Sequence, residues 1–428
     1  MSTAKKITLV VVILLVIGGI WYLESLKVHP TGTSGQAVQA LNINPDAPEI
    51  PDVGASSSAF TNATTVIAAP SVAGTIPPTA ATPAAGSPTT YNTQTALRFI
   101  AAADKAAGDQ PAIEIVDPTG FINTTSNFKL ANYIGHDVIL LDFWTYSCIN
   151  CVRTIPYLNA WYSKYKDQGL IIVGIHTPEF DFEKNLANVR NAVQEYGIQY
   201  PVILDSNQGT WNAYNNLYWP HEYLIDMAGY IVHDQVGEGG YTDTEADIQR
   251  LLAQRATIAG TDVSAIATST VNISPANLGE INSPETYFGA ARNSLLANGT
   301  FFVNGNQTLT TPAASTVKLN NLYLSGKWDF EDQYATNLTS GATITYEYNA
   351  GNVYIVAAGA PAGTVVDVMQ DGQTIGTADA GSDVHNGKVV ISGNKLYNLV
   401  KNSNGGGVHT LELIVESPGL QAFTFTFG

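Results

Sequence analysis

The chain holds only two cysteines in 428 residues, Cys148 and Cys151, three positions apart. A bridge between them would close too small a loop to brace a fold, and no other pair of thiols exists to do so. The chain must fold on apolar burial alone. At this length one core rarely suffices, so two folded domains with connecting segments are expected. Two neighbouring thiols with no scaffold to staple point to chemistry or to metal binding. Charged residues make up 13% of the chain and the formal net charge is -17. Such a surface repels nucleic acid and anionic membranes, which excludes a nucleic-acid function.

Residues 7–23, ITLVVVILLVIGGIWYL, are uncharged and almost wholly apolar, preceded by Lys5 and Lys6. As a helix the run covers roughly 25 Å, just short of a hydrocarbon core of ~30 Å. Trp21 and Tyr22 suit the far interface, with Glu24 and Lys27 beyond it. The lysines favour a cytoplasmic N-terminus, with everything after Lys27 exported. No small-x-small pattern directly follows, so an uncleaved single-pass anchor over 1–27 is expected rather than a cleaved signal peptide. Residues 28–95 are rich in Ala, Thr, Pro, Ser and Gly and show no sustained period. They read as a disordered tether with a span of roughly 45 Å.

From residue 96 to 256 the character changes. HDVILLDFW (136–144) is a short apolar run that suits a buried strand, followed by a helical stretch over 149–167 closed by Gly169. LIIVGIHT (170–177) is a second buried strand, 182–196 a helix, and PVILD (201–205) a third strand. Residues 222–226 and 230–237 alternate around Met227–Ala228–Gly229 as a hairpin, and 242–256 supplies a last helix with a capping Thr. This order predicts an α/β domain with a mixed central sheet flanked by helices. A Ser/Thr/Ala-rich linker (257–283) leads to 284–428, whose short β-rich runs punctuated by Gly and Asn predict an all-β antiparallel sandwich.

A CxxC pair also occurs in zinc and haem sites, so its surroundings decide. No second close Cys or His pair is present to complete a zinc site, and the residue after Cys151 is Val152 rather than the His of haem attachment. What remains is a CxxC at the junction of a buried strand and a helix. Cys148 falls at the helix N-terminus, where free N–H groups and the dipole favour thiolate and a cysteine pKa drops from ~8.5 to as low as ~3.5–7.5. Cys151, one turn on, is placed to resolve a mixed disulfide from inside.

With these residues in view, the sequence resembles the thioredoxin-like family, in its exported TlpA-like branch. LLDFWTYSCINC (140–151) is similar to that family's strand and active-site segment. DFWTYSCINCVRTIP, GIHTPEF and YWPHEYLID together resemble the soluble C-terminal part of the DipZ proteins, and KWDFEDQYAT, GNVYIVAAG, KLYNLV and AFTFTFG resemble their carbohydrate-binding-module-like tail. The resemblance implies a thiol–disulfide oxidoreductase whose redox agent is the Cys148–Cys151 disulfide, with no other cofactor and no metal. It implies that Asp142 relays the proton of the inner cysteine and that Pro156 kinks the active-site helix. Pro220 is implied to be the cis-proline whose loop meets an incoming peptide. Trp144 and Trp219 are candidates to line the site, His221 to tune the thiolate or meet substrate, and Glu179 is a weaker candidate. His176 and His233 read as ordinary strand histidines.

DipZ proteins carry a multi-spanning electron-conducting membrane domain, whereas this sequence offers one anchor and a tether. Exported protein thiols and disulfides are the expected partners, with a separate DsbD- or CcdA-like membrane electron donor if the chain is a reductant. Two further readings stay open. One is an exported copper-binding protein using both thiolates and His221 or His233. The other is a cell-wall protein binding glycan through Trp328, Tyr346, Tyr348, Tyr354 and Tyr397, although alternating aromatics also fill sandwich cores.

Overall fold

Buried parallel strands read as unbroken apolar runs because helices cover both faces of their sheet. The first domain is built on that rule. A computed structural model describes residues 93–428 apart from 267, 275–280, 361 and 404. The expected anchor at 7–23, with its single transmembrane helix, and the tether up to residue 92 lie outside the described residues. Among the described residues no helix is long and apolar enough to cross a membrane.

Helix α1 spans Thr93–Ala107 and strands β1 and β2 span Gln110–Pro111 and Gly120–Ile122. There follow β3 (Val138–Trp144), α2 (Ile149–Tyr165), β4 (Leu170–His176), α3 (Leu186–Glu195), β5 (Val202–Leu204) and α4 (Gly209–Ala213). The hairpin β6 (His221–Ile225) and β7 (Tyr230–Val236) and the long helix α5 (Tyr241–Ala259) complete the domain. The sheet order is β1-β7-β6-β3-β4-β5-β2. Strands β3, β4 and β5 are parallel, and β6 runs antiparallel to β3. This is the expected mixed sheet.

Central strand β3 is buried at every residue. Its Val138, Leu140 and Trp144 pack with Ile155, Leu158 and Trp161 of α2 and with Ile248, Leu251 and Leu252 of α5. Its Ile139, Leu141 and Phe143 face the other way, against Trp211 and Tyr214. The helix expected over 182–196 breaks at Asn185, whose side chain accepts the Ala187 N–H (2.9 Å) and so starts α3 anew. Asn competes with the backbone in this way and favours caps over helix interiors.

The second domain contains β8 (Thr286–Tyr287), β9 (Gly305–Leu309), β10 (Leu322–Phe330), β11 (Ala335–Asn337), β12 (Ala342–Ala350), β13 (Asn352–Ala358) and β14 (Thr364–Gln370). It continues with β15 (Gln373–Thr374), β16 (Val384–His385), β17 (Lys388–Ile391), β18 (Lys395–Lys401), β19 (Gly407–Val415) and β20 (Gln421–Phe427). Strand β10 belongs to two sheets. Leu322–Ser325 pair with β12, and Gly326–Phe330 pair with β9 and in part with β11. The change of sheet falls at Gly326, with φ +89°, where a Cβ would sit 2.7 Å from Thr339 Oγ1. Only glycine combines that backbone with that proximity.

The two sheets close on one core. Tyr346 and Tyr348 of β12 stack against Phe427 of β20 across it, at 5.7 and 6.3 Å. Trp328, Tyr346, Tyr348 and Tyr397 are all core residues. These four aromatics therefore do not form a sugar-stacking platform. The same alternation that suggested one is how the sandwich fills its interior.

Candidate active site

The turn from β3 into α2 places Cys148 at the N-cap, in extended conformation, with α2 beginning at Ile149. Half-buried, its Sγ–H donates to the Trp219 carbonyl at 3.8 Å. Cys151 lies one turn along, 1% exposed. Burial pushes its thiol well above the ordinary range, helped by its hydrogen bond with Cys148 and by the nearby charges of Cys148 and Asp142. One sulfur is thus presented at the surface and the other withheld behind it. The Trp219–Pro220 peptide is cis. The Trp219 ring packs on Trp211 at 4.2 Å, and its indole N–H donates to the Thr177 carbonyl at 3.0 Å.

Asp142 sits in β3 on the α2 side of the sheet, fully buried, and its carboxyl is pushed up to about 8 by that burial. Its Oδ1 has no hydrogen-bond partner. Directly across the ladder on β6 stands Glu222, a second fully buried carboxyl. Burial first, and then the charge of Asp142, hold Glu222 well above the usual carboxylate range. The sequence reading passed over Glu222. Its signal was a charged residue two positions before Leu224, on the same inward face of a strand with no exposed residue.

Glu183 was also missed. Fully buried, it accepts from the Ser147 hydroxyl (2.5 Å) and from the backbone N–H groups of Glu179 (2.7 Å) and Phe180 (2.9 Å). Burial raises it to about 7 against the pull of those hydrogen bonds. Ser147 immediately precedes Cys148, so Glu183 ties the active-site turn to the loop after β4.

The structure gathers Cys148, Cys151, Trp219 and Pro220, with Asp142 close enough for its charge to act on the Cys151 thiol. Other candidates go elsewhere. Trp144 is a core residue set edge-on to His176 at 5.1 Å. His221 occupies the opposite sheet face from Asp142, because it pairs with Phe143 on β3. Its ring nitrogens are taken up by Asn216 (2.6 Å), Tyr223 (2.9 Å) and Asp234 (3.2 Å). His233 is held by Asp247 and Thr244. Among the described residues no group of three His, Cys, Asp or Glu side chains is assembled to hold a metal ion.

Glu179 belongs to the seam with the second domain. It pairs with Arg292 at 2.6 Å and accepts from the Tyr287 hydroxyl at 3.1 Å. Phe180 and Phe182 pack edge-on against Phe423, at 5.1 and 4.8 Å. The seam reaches the active-site turn, where the Tyr146 hydroxyl donates to the Asn394 carbonyl at 3.1 Å.

Comparison with known proteins agrees with this division. The AhpC/TSA family matches residues 111–234, and a family described as the thioredoxin-like C-terminal domain matches residues 283–428. The chain is similar to protein DipZ of Mycobacterium bovis, 36% identical over 312 residues, covering 72% of this chain and 42% of that protein. It is similar to the thiol-disulfide oxidoreductase YkuV of Bacillus subtilis, 29% identical over 145 residues, covering 34% of this chain and 96% of the relative. It also resembles the thiol-disulfide oxidoreductase ResA of Bacillus thuringiensis, 31% identical over 113 residues, 26% of this chain and 62% of the relative. The chain thus spans less than half the length of the DipZ proteins it matches.

Proposed function

We propose, for a chain similar to the thioredoxin-like thiol–disulfide oxidoreductases, that Cys148 and Cys151 exchange a disulfide for a dithiol with exported proteins or a membrane redox partner. The observation that carries this reading is the asymmetry of the two sulfurs. Cys148 is half-exposed at a helix N-terminus against the Trp219 carbonyl, and Cys151 is buried behind it with its proton held on.

In the reducing direction the Cys148 thiolate attacks one sulfur of a substrate disulfide. The other substrate sulfur leaves with the electron pair and takes up a proton, and a mixed disulfide forms. Cys151 then gives up its proton, to Asp142 in the fraction of molecules in which that carboxyl is ionised, and attacks Cys148 Sγ. The substrate's second thiol is released and the Cys148–Cys151 disulfide is left. The oxidising direction is the reverse, and the reduction potential decides between them. The loop at cis-Pro220, beside Cys148, is the edge against which a substrate segment would lie. The apolar run 7–23 behind Lys5 and Lys6 supports single-pass anchoring with the catalytic domain outside the cytoplasm.

The test is insulin reduction with a dithiol donor. Cys148→Ser is expected to abolish turnover and Cys151→Ser to accumulate mixed disulfides at Cys148. Full turnover by Cys148→Ser would end this reading.

A further inference from the structure

Behind the two thiols lies a group that the exchange mechanism does not use. Glu222 and Asp142 are direct partners across the β3–β6 ladder and point to the same side of the sheet, the side covered by α2. Side chains so placed have Cβ atoms only ~4.5–5.5 Å apart. Both are fully buried, and each has a carboxyl oxygen, Asp142 Oδ1 and Glu222 Oε2, without a hydrogen-bond partner. Nothing of opposite charge settles the pair. The titratable groups facing it are Cys151 from α2, Tyr200 from the turn before β5 and Tyr241 from α5, while Gln235 is its neighbour on β7. Beyond Gln235, His233 is engaged by Asp247. Arg153 of α2 is bound by Glu238 instead, at 2.8 Å through its Nε. The buried Tyr200 hydroxyl, itself without a hydrogen-bond partner, lies within electrostatic reach of Asp142, Glu222 and Cys151.

We propose that Glu222 is a positioning residue of the exchange reaction: it forms with Asp142 a buried two-carboxyl acid that keeps one proton available to Cys151. This rests on the redox reading of the thiols. Two carboxyls side by side in a dry interior do not both ionise, so the first charge to form holds the second proton in place. The retained proton matters when Cys151 is the leaving group. A dithiol donor then attacks Cys148 Sγ, the Cys148–Cys151 bond breaks, and Cys151 departs with the electron pair. It takes a proton from the acid pair, which is refilled from solvent. The donor's second thiolate then attacks the donor sulfur of the mixed disulfide, and Cys148 leaves with the electron pair and is free as a thiol. The donor ends as a disulfide and the protein as a dithiol. Burial raises Asp142 to about 8, so above that pH this carboxyl no longer supplies a proton. With Glu222 beside it, an acid survives into more alkaline solution.

The experiment is the rate at which dithiothreitol reduces the full-length oxidised protein between pH 6 and pH 10, in wild type and Glu222→Gln. Comparison at each pH cancels the ionisation of the reagent. The variant is expected to lose about tenfold more rate than wild type between pH 7 and pH 9, as a lone acid titrating near 8 would. A variant-to-wild-type ratio that stays flat across the range overturns this inference and leaves the exchange reading intact. A wild-type disulfide that dithiothreitol reduces at no pH overturns both. Because Glu222→Gln could fail to fold, infrared spectra of wild type with isotope-labelled glutamate give a second reading. A protonated glutamate carboxyl signal is expected to persist at pH values where Glu183 and Glu285, each raised only to about 7, are ionised. Its absence there overturns the proposal.

Discussion

Asp142 is buried with no cation beside it, and its folded-state pKa of about 8 stands far above the ordinary carboxylate value of 3.8. A protonated Asp142 costs the fold little. Above the ordinary value the unfolded chain gains by ionising while the native state still holds its proton, so stability falls as pH rises from about 4 to about 8. Urea unfolding between pH 5 and pH 8 is expected to show this decline, and Asp142→Asn is expected to flatten it. An unchanged slope in the variant would mean that Asp142 ionises normally in the fold. At this scale the sequence was legible where a motif named the residue: Cys148, Cys151, Asp142 and Pro220 sit in segments with fixed spacing. Glu222 and Glu183 were not legible. A carboxylate in a short segment reads as solvated until the structure shows that both its neighbours and its own strand or turn are buried.

The strand-to-helix turn at 144–149 is the element that presents the chemistry, and its conformation is set by contacts from outside it. Glu183 holds Ser147 and two N–H groups of the loop after β4 at once. Glu183→Ala leaves two buried donors and one partly buried donor unpaired and is expected to cost ~2–4 kcal/mol, read from the shift of the urea midpoint. Thiol–disulfide exchange is expected to slow as well, because the turn before Cys148 loosens. A variant of wild-type stability would show that the carboxyl is dispensable to the turn. The long elements β3, α2, β4 and α5 were readable from unbroken apolar runs and helical spacing. The two- and three-residue strands β1 and β2 were not, since so short a segment carries no period, and the five-residue helix α4 has the same limitation.

Among the described residues, the cores of the two domains are joined by a small seam in which Phe180, Val356, Ala358 and Phe423 are buried together. Glu179 read as a site candidate because it stands in the HTPEF segment, but its place is this seam, in an ion pair whose partner lies 113 residues away. Sequence periodicity carries no information at that distance. Truncating Phe423 removes the ring on which Phe180 and Phe182 both pack. Phe423→Ala is expected to destabilise by ~3–5 kcal/mol and to split thermal unfolding into two transitions, one for each domain. A single transition at the wild-type temperature would show that the seam does not couple the domains.

The claim on which the rest depends is that Cys148 and Cys151 form one reversible two-electron couple. Equilibrating residues 93–428 in glutathione buffers, followed by mass spectrometry of the two thiols, tests it most directly. One two-electron transition between dithiol and Cys148–Cys151 disulfide is expected. A midpoint near ~-270 mV makes the protein a reductant that needs an electron donor, and one near ~-120 mV makes it a donor of disulfides. A stable glutathione adduct on Cys148, with no Cys148–Cys151 disulfide at any ratio, would contradict the mechanism.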